Sequence, residues 1–275
     1  MIDMQNMQLD NLAMMVVSCD AYTELGKNFF ELQERYMGWF DGPRYFINES
    51  RSVDYPGVHV IHVGTDVNWS KKVELALQSI PEKYILFMLE DYFIGENVSR
   101  DRLCDAFDLI QQYGLSYYRI TAIPKIHKKC SLSNFLSPIP SNVRYGINLQ
   151  AAIFERTFLE RIISGPDRSA WEVEIDLLKK VTTKYEYDIP GCVLDNRNII
   201  DIHNGVIKGK WVPSTIKFFK KQGYMIEIGN RPMLSMIEVF RNHLVGGISN
   251  ILPAGFTKKL KHMLIRLGFR FVSEN

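Results

Sequence analysis

Three stretches of this chain carry residue types that can do chemistry. The first is YILFMLEDYFIG, residues 84 to 95, where an apolar and aromatic run meets Glu90 and Asp91 side by side. Two carboxylates at a strand end can ligate Mg²⁺ or Mn²⁺, hard cations that prefer oxygen and bridge to phosphate. They can also accept hydrogen bonds from a ribose. An exposed loop start would have the same local sequence. The second stretch, SAWEVEID, offers Glu172, Glu174 and Asp176 just after Trp171. A carboxylate beside an aromatic wall can serve as a general base, with the ring as a platform for a sugar or an apolar substrate. On a helix Glu172 and Asp176 share a face and Glu174 points elsewhere. Acids are also favoured at any helix N-terminus by the helix dipole.

The third stretch is NIIDIHNGVIKGKW, residues 198 to 211. His203 precedes Asn204 and Gly205, a turn signal, and Lys208, Gly209, Lys210 and Trp211 follow. A histidine and two lysines on a glycine-containing loop suit a diphosphate and its metal, although a single histidine is more often structural than a ligand. The chain has no G-x-x-x-x-G-K-[ST] loop, no G-x-G-x-x-G after a strand, no H-E-x-x-H and no G-x-S-x-G. P-loop kinases, dinucleotide dehydrogenases, zincins and α/β-hydrolases lose support accordingly.

The elements that must position these residues follow from hydrophobic periodicity. AMMVVSCD (13 to 20) reads as a strand, and Thr23 can cap a helix carrying Leu25, Phe29, Leu32 and Tyr36 at helical spacing. RYFINES (44 to 50) and GVHVIHVG (57 to 64) read as strands. Ser70 can cap a helix through Val73, Leu77 and Ile80 that Pro81 stops, and strand 84 to 89 follows. This alternation argues a mostly parallel sheet covered on both faces, with ligands beyond the carboxyl ends of its strands. Asp20, Asn48, Glu49, Glu90 and Asp91 all fall at such ends. Further on come a helix from Asp101, a strand at YYRIT, a long loop over 124 to 143, a strand running into a helix at INLQAAIFERTFLERIIS, and a helix after Trp171.

Length and composition set the frame. The chain has 275 residues, 46% hydrophobic and 23% charged, which is ordinary globular composition. The start, with Asp3 and Asp10 and no basic residue, lacks a signal-peptide pattern, and no apolar run approaches the roughly 18 residues of a membrane span. Cys19, Cys104, Cys130 and Cys192 are scattered, which favours reduced thiols and a cytoplasmic setting. The net charge of +2 conceals a polarity: residues 202 to 275 hold 12 Lys/Arg against three acids, and the first 201 residues hold 21 against 28. FTKKLKHMLIRLGFRF (256 to 271) places Leu260, Met263, Leu264, Leu267 and Phe271 on one stripe, with lysines and arginines largely off it. Such a basic amphipathic helix can lie in the interface of an anionic bilayer. It can equally be a packed helix with a solvated face.

Taken together, the βα order through residues 13 to 93, the acids of FMLEDYF and the WEVE segment followed by KGKW resemble GT-A-fold glycosyltransferases of bacterial surface-polysaccharide synthesis. The resemblance implies an α/β fold with a GT-A-like, Rossmann-like, mostly parallel central sheet flanked by helices. It implies a catalytic domain over 1 to 212 and a basic helical C-terminal appendage over 213 to 275. It further implies transfer of a sugar from a nucleotide-sugar donor to a saccharide or polyprenyl-linked acceptor, at the inner face of a membrane that the basic tail contacts peripherally. The base would lie against Ser18 and Asp20. The family's D-x-D position is held by Glu90, Asp91 and Tyr92, a departure at the third residue. Asp91 with His203 would then ligate a divalent cation, Mn²⁺ or Mg²⁺; alternatively Lys208 and Lys210 would neutralise the leaving diphosphate without metal. In an inverting enzyme Glu174, and after it Glu172, would deprotonate the acceptor. Two other readings stand beside this one. A sugar-1-phosphate nucleotidyltransferase would need a Gly-rich basic loop that SCDAYTELGK does not match. A non-enzymatic membrane- or nucleic-acid-binding module would use the basic tail, although no nucleic-acid-binding motif is present and no nucleic acid is expected.

Overall fold

The first apolar run forms an interior strand of the main sheet. In the computed structural model, which describes residues 9, 11–122, 125–126, 128–139, 146–180 and 191–239, strand β1 (Leu12–Val17) is buried along its whole length. It pairs in parallel with β2 (Arg44–Asn48) on one side and with β4 (Tyr84–Leu89) on the other. β3 (His59–His62) adds a half-exposed parallel edge. Strands covered on both faces need no alternation, which is why β1 and β4 are almost continuously apolar.

Helices cover both faces. On one, α1 (Thr23–Met37) sets Phe30 edge-on to Phe46 of β2, and α3 (Arg100–Tyr113) sets Phe107 edge-on to Tyr84. On the other, α2 (Trp69–Leu77), α4 (Arg156–Ile163) and α5 (Ala170–Lys180) enclose one core, in which Val73, Leu77, Phe158, Ile162, Val173 and Leu177 meet Met15, Ile85 and Phe87. α3 begins at Ser99, whose side chain accepts the Arg102 N–H, and ends at Gly114, whose φ of 60° suits a residue without Cβ.

Beyond β4 the sheet changes character. Its order is β3-β2-β1-β4-β8-β6-β9-β7, with β6 (Tyr117–Arg119), β7 (Leu136–Pro138), β8 (Ala152–Glu155) and β9 (Cys192–Asp195). β8 runs antiparallel to both β4 and β6, and β7 antiparallel to β9. β6 and β9 pair in parallel, so the sheet is mixed and Rossmann-like: six of its eight strands run one way, and β7 and β8 oppose them. No described helix separates β6 from β7 or β8, so neither connection imposes the crossover that keeps strands parallel. The long loop expected over 124 to 143 accordingly contains strand β7. Two features expected as local also differ. Tyr22, after a 3-10 turn at Asp20–Tyr22, occupies the flanking position of α1 in place of Thr23. The start of α2 is capped from far away, by Asp167, which accepts the N–H groups of Asn68 and Lys71 at 2.6 and 3.2 Å.

A separate two-stranded ribbon joins β5 (Tyr92–Ile94) to β10 (Ile202–Asn204) in antiparallel register. The chain divides into two compact units, Met1–Gly205 and Val206–Asn275, where the sequence reading set the divide after residue 212. The second unit opens with a hairpin of β11 (Val206–Ile207) and β12 (Lys210–Trp211), followed by α6 (Pro213–Lys221) with Lys220 and Lys221 in its last turn. The amphipathic stretch 256 to 271, and with it most of the expected appendage, lies outside the described residues. Among the described residues no helix is long and apolar enough to cross a membrane. All four cysteines are free thiols.

Candidate functional site

The strand order reverses at β1: β2 and β3 lie to one side, β4 to the other. In an open α/β sheet the crevice outside the carboxyl ends at such a switch point is where ligands sit. The residues there are Ser18 and Cys19 after β1, Glu49 after β2, and Glu90 and Asp91 after β4.

The loops after β1 and β2 are laced together by charge. Lys72, buried one turn into α2, donates to the Ser18 carbonyl at 2.8 Å and pairs with the Glu49 carboxylate. Glu49 in turn accepts the Asp20 N–H. The Asp20 carboxylate accepts the Ser50 N–H (3.0 Å), the Ser50 hydroxyl (2.7 Å) and the Arg51 N–H (2.9 Å). Desolvation raises the Asp20 carboxyl, but the Arg51 and Ser50 hydrogen bonds outweigh it and hold the pKa at about 2. Asp20 thus faces the loop after β2 and fixes its shape. The Cys19 thiol is pushed up by burial and then by the nearby Glu90 and Glu49 carboxylates. Lys72 was not legible as a site residue, because KKVELAL reads as an ordinary helix surface until Glu49 and the Ser18 carbonyl stand opposite it.

At the end of β4, Glu90 is buried and Asp91 half-buried. The Tyr92 phenol is pushed well up by burial and then by the carboxylates of Asp91, Glu174 and Glu90. Those neighbours put Glu174 of α5 within electrostatic reach of Tyr92 and the end of β4, across more than 80 residues of sequence. Glu174 Oε1 accepts the Leu149 N–H at 3.0 Å, and burial raises its carboxyl. The segment presenting Leu149 is itself braced: Arg119, fully buried, donates to the Gly146 carbonyl at 3.0 Å, and the Tyr117 hydroxyl lies 3.2 Å from Asn148 Oδ1. Glu172 goes elsewhere. It is exposed and forms a capping box, accepting the Ser169 N–H and hydroxyl, both at 2.7 Å. Asp176, on the same face as Glu172, pairs with Arg168 at 2.7 Å. Tyr92, flagged by the sequence only as a departure, emerges as a phenol held neutral within electrostatic reach of three carboxylates.

His203 stands on strand β10, opposite Phe93, where a loop had been expected. Its Nε2 lies 2.9 Å from Asp201 Oδ2. Gly95 makes room for this pair: a Cβ there would stand 2.6 Å from His203 Nε2 and 2.7 Å from the Asp201 carboxylate. The Asp91 carbonyl accepts the Gly205 N–H at 2.7 Å, which continues the ribbon by one rung and sets Asp91 diagonal to His203. One carboxylate and one imidazole suit a two-residue hold on Mn²⁺ better than on Mg²⁺, with a diphosphate supplying further oxygens. Among the described residues no group of three His, Cys, Asp or Glu side chains gathers as a closed metal cage.

Lys208 and Lys210 belong to the second unit. Lys208 (φ 50°) and Gly209 (φ 76°) form the tight turn of the β11–β12 hairpin, with Lys208 exposed at its tip. Lys210 pairs with Glu238 at 2.6 Å, and its hydrogen bond holds that carboxyl at about 2. The structure thus brings Ser18, Asp20, Glu90, Asp91, Glu174 and His203 into the first unit.

No protein-family model matches the chain, and no curated protein matches it. Among solved structures it is similar to S. aureus TarS residues 1-349, at 13% identity over 69% of this chain and 59% of that one, with a TM-score of 0.47. It is also similar to the mannosyltransferase PcManGT from Pyrobaculum calidifontis, crystallised with GDP-Man and Mn²⁺ (14% identity, 72% of this chain and 58% of that, TM-score 0.41). A third likeness is to the galactosyltransferase LgtC with donor and acceptor sugar analogues (10% identity, 68% of each chain, TM-score 0.36). The chain therefore spans less than two thirds of the length of the first two, and the likeness is a partial one of backbone.

Proposed function

We propose that the chain is a glycosyltransferase of GT-A type, moving a sugar, a hexose in the simplest case, from a nucleotide-sugar donor to a growing or lipid-linked saccharide. The observation that carries this reading is the gathering near the β1–β4 switch point of Ser18, Glu90 and Asp91 with the half-buried carboxyl of Glu174. A crevice there fits a nucleotide, and a carboxyl with a raised pKa beside it fits a base for an acceptor hydroxyl. In this reading the laced loops of Ser18, Asp20 and Glu49 shape the base pocket, while Glu90 and Asp91 receive the ribose and diphosphate. Glu174 removes the proton from the attacking hydroxyl, and Tyr92 donates a hydrogen bond among the acids without adding charge. Glu172, engaged at its helix start, gives second support at most.

Asp91 and His203 would hold the divalent cation, which supplies positive charge at the leaving diphosphate. Asp201, 2.9 Å from the ring, would orient the imidazole, as a carboxylate behind a metal-ligating histidine commonly does. Lys208 and Lys210, expected from the sequence to neutralise the leaving diphosphate, belong to the second unit and are left out of this site. The setting that suits a lipid-linked acceptor, of the capsule or O-antigen kind, is the cytoplasmic face of a membrane.

The test is a thermal-shift screen of nucleoside diphosphates with and without Mn²⁺, on wild type and Asp91→Ala. A diphosphate at 100 times its dissociation constant adds about 2.7 kcal/mol to stability. One nucleotide should stabilise the wild type selectively, and the variant should lose that shift. An Asp91→Ala protein that keeps both the shift and full transfer activity would sink the site assignment.

A further inference from the structure

Six large hydrophobic side chains are exposed among the described residues, and five of them fall between residues 225 and 237. Met225 is 70% exposed, Met236 79% and Ile237 78%, with Met233 and Ile228 at 44% and 38%. Scattered exposed apolar residues need no explanation; this concentration in 13 residues does. The segment is also held in place. The buried indole of Trp211 donates to the Ile228 carbonyl at 2.7 Å, its backbone N–H donates to Pro232 at 2.9 Å, and its carbonyl accepts from Leu234 at 2.9 Å. Arg231 donates to the Gly209 carbonyl at 3.2 Å. The protruding methionines and isoleucines are thus fastened to the same hairpin that carries Lys208 and Lys210.

The charge around them is predominantly positive. Residues 206 to 239 contain six Lys/Arg against two Glu. Lys208, Lys217, Lys220 and Lys221 are exposed, and Glu238 is already paired to Lys210. We infer that the Met225–Ile237 segment is a docking surface for an anionic lipid bilayer, with its apolar side chains entering the interface and the lysines meeting headgroup phosphates.

Charge complementarity selects this occupant over two others. A second copy would bring two sets of these lysines together. The chain's own residues 240 to 275 carry six Lys/Arg against one Glu and would be repelled for the same reason. An anionic surface attracts both. Residues 225 to 237 lie within the span 213 to 275 already read as membrane-associating but apart from the amphipathic stretch 256 to 271; the docking surface rests on that reading and gives it a specific set of exposed side chains. It stands apart from the transfer reaction, because its readout is lipid binding without nucleotide.

The experiment is co-sedimentation of the full chain with vesicles of phosphatidylglycerol and phosphatidylcholine, against phosphatidylcholine alone. The variant Met225→Ser/Met236→Ser/Ile237→Ser should bind the anionic vesicles roughly tenfold to a hundredfold more weakly. Its Tm and its nucleoside-diphosphate shift should be unchanged. Lys217→Gln/Lys220→Gln/Lys221→Gln should lose roughly fivefold per charge on anionic vesicles. Unchanged binding of the serine variant overturns the proposal. So does a wild-type dimer, by light scattering, that the serine variant dissolves. So does a loss of several degrees in its Tm, which would mean that the patch is covered by protein. If the serine variant does not fold, Ile237→Trp decides: its fluorescence should shift to the blue on anionic vesicles, and no shift overturns the inference.

Discussion

Glu174 is the residue whose position could not be inferred from its neighbours in sequence, and it carries the sharpest prediction. Its carboxyl is raised because burial penalises the anion, and the single hydrogen bond from Leu149 only partly offsets this. A group that must be ionised to act then loses function as pH falls through its raised pKa, so the acid limb of kcat should lie above the ordinary carboxylate range. Glu174→Gln should lower kcat on the order of 10²- to 10⁴-fold with little change in nucleotide affinity. The same shift has an opposite consequence for stability. A carboxyl whose folded pKa is raised stabilises the fold at low pH, and this contribution is lost as pH rises through the folded value. The glutamine variant should therefore melt slightly higher than wild type at pH 7, with the difference vanishing toward pH 4. An inactive variant that melts lower at every pH would mean that Glu174 is a structural acceptor for Leu149 and no base. Tyr92 sharpens the picture: a phenol kept protonated by burial and three acids can share the site without adding to its charge.

α5, the helix carrying Glu174, owes its placement to a short clasp. Arg168 donates to the Ile163 and Ser164 carbonyls at the end of α4, at 3.1 and 2.8 Å, and to Asp176 on α5 at 2.7 Å. Asp167 beside it caps α2. Three helices of one face are fastened by two adjacent residues. Arg168→Ala would leave Asp176 and the carbonyls without their donor and should cost about 2–3 kcal/mol, somewhat below the range for a fully buried pair because Asp176 is partly exposed. In urea the midpoint should fall with m unchanged, and a midpoint equal to wild type would show that the clasp is ornamental. None of this was readable from spacing. Alternation did reveal β1 through β4 and the helices between them, because buried parallel strands and amphipathic helices have local periods. It also revealed that Glu172 and Asp176 share one face of α5, which left Glu174 pointing elsewhere. What eluded it depends on partners far away in the chain. Asp167 caps a helix some 97 residues earlier, β8 runs antiparallel, β7 lies in a stretch that reads as loop, and His203 pairs with a strand too short to show a period. The acids at the strand ends were visible as types; that Asp20 clamps a loop while Glu90 and Asp91 stay near the crevice is a matter of tertiary contact.

The molecule as a whole is electrically lopsided, with 28 acids against 21 bases in its first 201 residues and 12 bases against three acids thereafter. That polarity coincides closely with the division into units at Gly205 and Val206. The proposed donor site in the first unit and the proposed lipid-facing surface in the second would differ in how salt reaches them. The lysines of 206 to 239 are largely exposed and act on lipid through solvent, so their attraction is screened on the scale of the Debye length, which falls from about 10 Å at 0.1 M salt to about 3 Å at 1 M. Glu90 and Glu174 lie in buried or partly buried surroundings, where screening is much weaker. Raising NaCl over that range should strip the protein from phosphatidylglycerol vesicles several-fold or more, while the nucleoside-diphosphate thermal shift with Mn²⁺ changes far less. The two titrations can be run on one preparation. If both fall together with the same salt slope, nucleotide and lipid draw on the same exposed lysines. If only lipid binding falls, the two halves of the charge polarity serve two separate partners.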